Sequence, residues 1–527
     1  MLATGLIEKL ALGRRRAARP RILLMPDRRG WIFDACARAI AVHLAGEFDF
    51  TIRYVEDGVD YDARGFDLVY VFFWGETAYK HMHVDPGRLV KHIASHRWED
   101  DPRYGPCTPR QFAWRYLRDS GAVHCTSQRL ARIVDGEHRN VFVLPSGYDP
   151  AKLYRKSAVT RRGGLTVGWA GNAADSVKQI ETILRPACGS DIDLRLAAGN
   201  VPRNRMNDFY NGCDVIAVTS RHEGHPMPLI EGMAAGCFPV TTDVGVAPEI
   251  IRPGENGLIV DASPEAFREA FAWCAAHIAQ VRAAGIENAE LARRTFAWPV
   301  LVDRYRTMFR HMLAGASEPR FRNDDVSADT PLHRFKEFCE IFWRYGYTQL
   351  HGVTLHGRTC DFHTHGPDPT PYPGTPPLSE LPNAEIRRLA GDVSMAQRPD
   401  LVAYLDASPD ELALHGLYHV DHSVMSADEL RDDIRAGLEE MQQLFPHKLV
   451  RYFIAPFNRT SETLARVCRE FDLHMLGASG VHLEEAITTA TIARGTWYRY
   501  HHHRFYPEST CRYYPTTCET LEAALRR

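Results

Sequence analysis

The sequence predicts an α/β protein built on parallel sheets, and three observations carry that prediction. Short β-branched strand runs alternate with segments of helical spacing. The alternation occurs twice, with a polar, basic stretch from Tyr154 to Gly164 between the two series. The chain has 527 residues, too many for one ordinary core, so two to four domains are expected.

In order, Arg21–Pro26, Phe50–Val55, Asp67–Phe73, Val123–Thr126 and Val141–Leu144 read as strands, with a helix from Asp34 to Leu44. The second series has strands at Leu165–Trp169, Leu194–Ala197, Val215–Val218, Phe238–Thr241 and Leu258–Val260. A long helix follows from Pro264 towards Val281, and a closing helix from Trp298 to Leu313. Two Rossmann-like units in tandem place a cleft at the carboxyl ends of their strands. After Ala314–Pro319 the chain becomes rich in histidine and aromatic residues. A proline-rich loop (366–382), a helix from Ala427 to Leu444 and a strand at Val450–Ala455 are its clearest parts. The expected divisions are a basic leader (1–19), a first unit (20–155), a second unit with its closing helix (156–315) and a third domain (316–527).

Composition narrows the function classes. Hydrophobic residues make up 45% and charged residues 24%, as in a water-soluble globular chain, and a net charge of −3 gives no general reason to expect nucleic acid. Twelve cysteines without paired spacing show no zinc ribbon or disulfide framework. With no secretory apolar segment, the expected compartment is the cytoplasm. The leader sets Leu2, Leu6, Ile7, Leu10 and Leu12 before Arg14, Arg15, Arg16 and Arg19. It reads as a frayed basic leader, or as an interfacial helix giving a peripheral contact with the inner membrane face.

The stretch from Ser220 to Gly236 carries the first chemistry. A buried strand runs into a helix start, and Glu223 and Glu231 bracket the junction. Helix N-termini attract anions, and carboxylates bind hydroxyls, so the pair suits a ligand with both phosphates and sugar hydroxyls. With Phe209–Asp214, Thr241–Gly245 and Gly254–Val260, this pattern resembles the retaining glycosyltransferases of family four, which have the GT-B fold. The resemblance is strongest over residues 140–300 and most specific in the segment Glu223–Glu231.

The resemblance implies that Glu231 binds the ribose of a nucleotide-sugar donor and that Glu223 orients the donor sugar. Backbone amides of Pro226, Met227, Pro228 and Leu229 would approach sugar and phosphates, with Gly224 beside them. Gly30 and Gly171 would be the loops nearest the donor. No cofactor is implied for this half. Gly171-Asn172 stands where the family often has Gly-Arg. Lys178 is the candidate diphosphate contact, with Arg221 or Arg205 as substitutes, and His96 is an acceptor-side candidate.

The tail carries a second constellation. Asp324 and Asp325 end a short strand, and His415 and His419 have the spacing of one helical face, which suits a divalent cation. Tyr452–Asn458 and Trp497–Arg504 follow. This order resembles the NodB-like polysaccharide deacetylases of carbohydrate esterase family four, which form a distorted β/α barrel. By that resemblance Asp324 is the general base, and Asp325, His415 and His419 hold a divalent metal of the Zn2+ class. His501 or His502 is the general acid. Asn323 and Val326 depart from the family pattern, and Ile454 replaces an arginine that orients the base, with Arg451 or Arg459 as substitutes. His363 and His365 form a further metal candidate.

The expectation is therefore a bifunctional enzyme. It would transfer a sugar, such as an N-acetylhexosamine, to a glycan, lipid-linked or protein-bound saccharide, and remove an N-acetyl group by metal-dependent hydrolysis. The alternative is an active transferase with a catalytically dead, carbohydrate-binding tail.

Overall fold

The computed structural model describes residues 19–58, 63–75, 82, 84–138, 140–157, 164–359, 371–372, 374–488, 492–493, 495–506 and 516–526. The leader apart from Arg19 and the His363/His365 pair lie outside them.

The first sheet contains β1 (Arg21–Met25), β2 (Asp49–Ile52), β3 (Leu68–Val71), β4 (Leu89–Ile93), β5 (Ala122–Cys125) and β6 (Val141–Val143). Its order is β2-β1-β3-β4-β5-β6. The second holds β7 (Thr166–Ala170), β8 (Asp193–Ala197), β9 (Val215–Val218), β10 (Phe238–Thr241) and β11 (Leu258–Ile259), in the order β11-β10-β9-β7-β8. Every ladder in both is parallel, as the strand–helix alternation requires. β4 is absent from the sequence expectation because Lys91 and His92 interrupt its apolar run, although all five of its residues are buried.

The expected long helix at 264–281 is two helices, Pro264–Ala276 and Ile278–Phe296, broken at His277. The closing helix, Trp298–Ser317, follows the second unit in sequence but packs on the first. Its Trp298, Val302, Tyr305, Met308 and Phe309 share a core with Ile22, Leu24, Ile40 and Tyr70. Gly147 permits that crossing, since a Cβ there would lie 2.6 Å from the Trp298 ring.

The tail forms a third parallel sheet from β12 (Arg320–Val326), β13 (Gln349–Val353), β14 (Glu411–Leu414), β15 (Tyr452–Ile454), β16 (His474–Leu476), β17 (Val481–His482) and β18 (Trp497–His501). The order β16-β15-β14-β13-β12-β18-β17 places β12 beside β13 and β18.

The tail docks on the first unit through the amino ends of strands on both sides. Asp85, just before β4, accepts from Arg320 at 2.6 Å and from Tyr452 at 3.2 Å. Gly87 makes room for this contact, because a Cβ there would lie 2.2 Å from the Arg320 guanidinium. Arg118 donates to the Val450 and Phe471 carbonyls. A cavity of about 600 Å³ lies along the same joint, lined by Gly121, Asn140, Gln349 and Trp497 among others. The carboxyl ends of the first and third sheets therefore point in opposite directions.

Candidate functional sites

The cleft between the first two units is built from the loops that follow β1, β4, β7 and β9. Gly30 has φ +75 and donates to Asp34 at 2.9 Å. Its carbonyl accepts from Arg203 of the second unit at 3.3 Å. The loop after β7 begins at Gly171 and reaches Lys178 through a turn capped by Asp175, which also binds Arg97 of the first unit at 2.5 Å.

Lys178 and Glu223 form an ion pair, and Glu223 Oε1 also accepts from Ser220 at 2.8 Å. Two further bonds lace the Lys178 loop to the loop after β9. Thr219 Oγ1 donates to the Lys178 carbonyl at 2.6 Å, and Arg221 N donates to the Val177 carbonyl at 2.9 Å.

Glu231 lies one turn into the helix Met227–Ala234 and accepts from the Tyr210 hydroxyl at 2.8 Å. Burial raises its carboxyl pKa, partly offset by the Tyr210 bond and the positive charge of Arg203. The helix sits tightly on β9, because a Cβ on Gly232 would lie 2.8 Å from Ile216. At Gly224 a Cβ would lie 2.4 Å from the Ala94 carbonyl of the first unit, so only glycine allows the loop its close approach.

Several expectations are corrected here. Pro226 and Pro228 have no N–H, and Leu229 N donates to the Pro226 carbonyl at 3.0 Å. Of those four residues, only Met227 offers a backbone donor to a ligand. Arg221 is paired with Asp100 of the first unit at 3.1 Å, and Arg205 with Asp208 at 3.1 Å, as Lys178 is with Glu223. His96 is buried against His222, with ring centroids 4.4 Å apart. Burial, with the His222 imidazole second, pushes its pKa down to about 4. Sequence reasoning missed Arg203 as a cleft residue. Its only signal was a position two residues from Arg205 at the same helix start.

In the tail, the register of β12 against β13 shifts between Asn323 and Val326, and Asp325 takes φ +67. This bulge separates the two carboxylates. Asp324 turns to Arg322, whose Nε and Nη2 each donate to it at 2.7 Å. Arg322 is 1% exposed, and it also donates to the Gly477 carbonyl at 2.6 Å and to Asn458 at 2.9 Å.

Arg451 and Arg459 do not fill this role. The first pairs with Glu411 at 3.1 Å and the second with Asp421 at 2.8 Å. Arg322 shares a strand face with Asp324 at spacing two, a signal that could have found it.

Asp325 meets three imidazoles. His419 Nε2 is 2.9 Å and His415 Nε2 3.1 Å from one oxygen, and His501 Nε2 is 3.0 Å from the other. Burial would raise the Asp325 pKa, but the charges of His419 and His501 outweigh it and hold it well below the usual carboxylate range. His415 and His419 do not sit on a helical turn. They lie on the irregular loop after β14, which turns at Gly416 with φ +93. His415 Nδ1 bonds to the Ile454 carbonyl at 2.8 Å, which leaves Nε2 aimed at Asp325.

His502 is turned away from the cluster. Its backbone N and its Nδ1 contact Asn323 Oδ1 at 2.9 and 3.1 Å, and Asn323 in turn meets His351 at 3.0 Å. The departure at Asn323 thus anchors the strand end that presents His501.

Asp325, His415 and His419 each offer a ligand atom within 4.8 Å of the others. One carboxylate and two imidazoles fit a divalent cation with open positions.

Comparison with known proteins gives a sequence match within the second unit. Residues 196–290 match the family model "Glycosyl transferases group 1". A D-inositol 3-phosphate glycosyltransferase from Xylanimonas cellulosilytica is 29% identical over 135 residues, 25% of this chain and 32% of that protein. The matched region thus spans about a third of the relative's length. A sucrose-phosphate synthase from Thermosynechococcus elongatus aligns with 56% of this chain and 100% of its own, at 16% identity and a TM-score of 0.46. Anabaena HepE in complex with UDP and glucose aligns over 56% of this chain and 100% of its own, at 14% identity and a TM-score of 0.43.

Proposed function

We propose that the chain is a retaining glycosyltransferase that uses a nucleotide-sugar donor, fused to a metal-dependent deacetylase acting on an N-acetylated sugar. One observation carries the transferase reading: Lys178–Glu223 and Glu231–Tyr210 flank a single helix start inside the segment that matches the group 1 model. Glu231 accepts ribose hydroxyls, and Glu223, held by Ser220 and Lys178, orients the sugar. Lys178 and Arg203 counter the diphosphate as the leaving group gains charge. The acceptor is a glycan, lipid-linked or protein-bound saccharide.

In the tail, Asp324 is the base and takes the proton of the attacking water, while the Arg322 fork fixes its carboxylate plane. His501 protonates the leaving amine. Asp325, His415 and His419 would hold a divalent cation, which would supply Lewis acidity to the amide carbonyl. The paired Arg322–Asp324 favours this active reading over a binding module, since the base keeps an orienting arginine despite Ile454.

Donor hydrolysis across UDP-, GDP- and TDP-sugars, with acetate release from N-acetylated chito-oligosaccharides measured alongside, tests both halves. Glu231→Ala should abolish donor turnover and spare acetate release, and Asp324→Asn the reverse. Unchanged donor turnover in Glu231→Ala would overturn the transferase assignment. Unchanged acetate release in Asp324→Asn would overturn the deacetylase assignment.

A further inference from the structure

A second cluster with metal-ligand chemistry lies at the cleft, far from the tail. His96 follows β4, Glu99 ends the short turn that begins there, and His222 lies on the loop after β9. One ligand atom from each falls within 4.8 Å of the other two. His96 and His222 are 8% and 7% exposed, whereas Glu99 is open to solvent and gives an ion a route in.

The imidazole nitrogens carry the argument. His96 Nδ1 and both ring nitrogens of His222 are buried without a hydrogen bond of good geometry. A buried polar atom left unpaired is costly, so three of them on two rings in contact call for an occupant. Asp100 Oδ1 lies 2.9 Å from His222 Nε2 and is itself held by Arg221 at 3.1 Å. That carboxylate lies close enough to favour a proton on His222 Nε2, which leaves Nδ1 as the ligand atom. Edge-to-face packing of the two rings accounts for their apolar contact but leaves these lone pairs unused. The neighbouring Arg129 is paired with Asp243 at 2.8 Å, so its charge is already countered.

We propose that His96, Glu99 and His222 form a binding site for a transition-metal ion of the Zn2+ class that fastens the first unit to the second across the cleft. Two imidazoles and one carboxylate are a nitrogen–oxygen donor set suited to Zn2+ or Co2+. Because His96 and Glu99 belong to one unit and His222 to the other, the ion bonds only when the cleft is closed. Its effect is on closure rather than on the transfer step.

The tail cluster has its own metal-ligand set, so the test uses the full chain carrying Asp325→Asn and His419→Ala. Loaded with Zn2+ and passed through gel filtration, this protein should retain about one ion per chain. Adding His222→Ala should remove it, and Glu99→Gln, on an exposed side chain that the fold does not need, should weaken it about 10-fold or more. Asp100→Asn should weaken it about 10- to 100-fold through the lost carboxylate beside His222 Nε2. Co2+ should give visible d–d bands that disappear in the same variants, with circular dichroism melts confirming that each is folded. No retained ion in the Asp325/His419 background, or retention and Co2+ bands untouched by both Glu99→Gln and His222→Ala, would overturn the site.

Discussion

Arg322 and Asp324 show how much one buried pair decides. Their side chains are 1% and 5% exposed and joined by two 2.7 Å bonds, so neither charge meets bulk water. Removing one partner of such a pair leaves an uncompensated buried charge, at about 3–5 kcal/mol, whereas replacing both with apolar groups costs far less. We expect Arg322→Met to lower both the melting temperature and acetate release. The double variant Arg322→Met/Asp324→Leu should recover much of the stability and none of the activity. A double-mutant cycle by chemical denaturation checks this, and additive losses would refute the coupling. The residue was hidden from sequence reasoning because the expected arginine belongs to another strand. Its one trace in the sequence is its place two residues before Asp324 on the same strand face.

At the scale of the element, the loop from Thr219 to Pro226 joins the two units of the cleft. Its His225 is buried against Phe296, with ring centroids 5.2 Å apart, near the stacked pair His92 and His124 of the first unit. Burial, with His124 second, pushes the His225 pKa down to about 3, and burial pushes His124 to about 4 and His92 well below its ordinary value. The sign follows from linkage. The unfolded chain protonates these imidazoles below about 6.5 while the folded chain keeps them neutral, so stability falls as pH drops through 6.5 towards the folded values. Each such histidine contributes a slope of about 1.4 kcal/mol per pH unit in that window. Denaturant midpoints at pH 7.5 and 5.5 should therefore differ, and His225→Phe should flatten the difference by one proton. An unchanged slope would contradict neutral burial. Elements with clean periodicity, such as β9, β10 and the helix Ala427–Leu444, were legible in the sequence with the bounds observed. β4 was not, because Lys91 and His92 are buried by neighbours distant in sequence. The His415–His419 spacing suggested a helical face, yet Gly416 at φ +93 makes it a loop.

At the scale of the molecule, the direction of the sheets bears on how the two proposed centres would cooperate. The cleft lies at the carboxyl ends of β4 and β9, and the Asp324/Asp325 cluster at the carboxyl ends of β12 and β18. Asp85, Arg320 and Tyr452 join the two bodies at the opposite, amino ends. One strand length on each side of that joint, five residues of β4 and five of β12 as far as Asp324, separates the centres by roughly 30 Å at about 3.3 Å per residue. The newly added sugar cannot occupy both centres across that distance, so the reacting end of a shared intermediate must leave one site for solvent before it reaches the other. Chemistry on separate molecules should then serve as well as chemistry on one. We expect an equimolar mixture of Glu231→Ala and Asp324→Asn full-length chains to form the deacetylated glycoside, at a rate that rises with total protein as the free intermediate accumulates. Mass spectrometry of products over time measures this. A mixture that stops at the acetylated product while the unmodified chain goes to completion would show that the intermediate passes within one molecule, and the back-to-back arrangement of the sheets would then have to open during turnover.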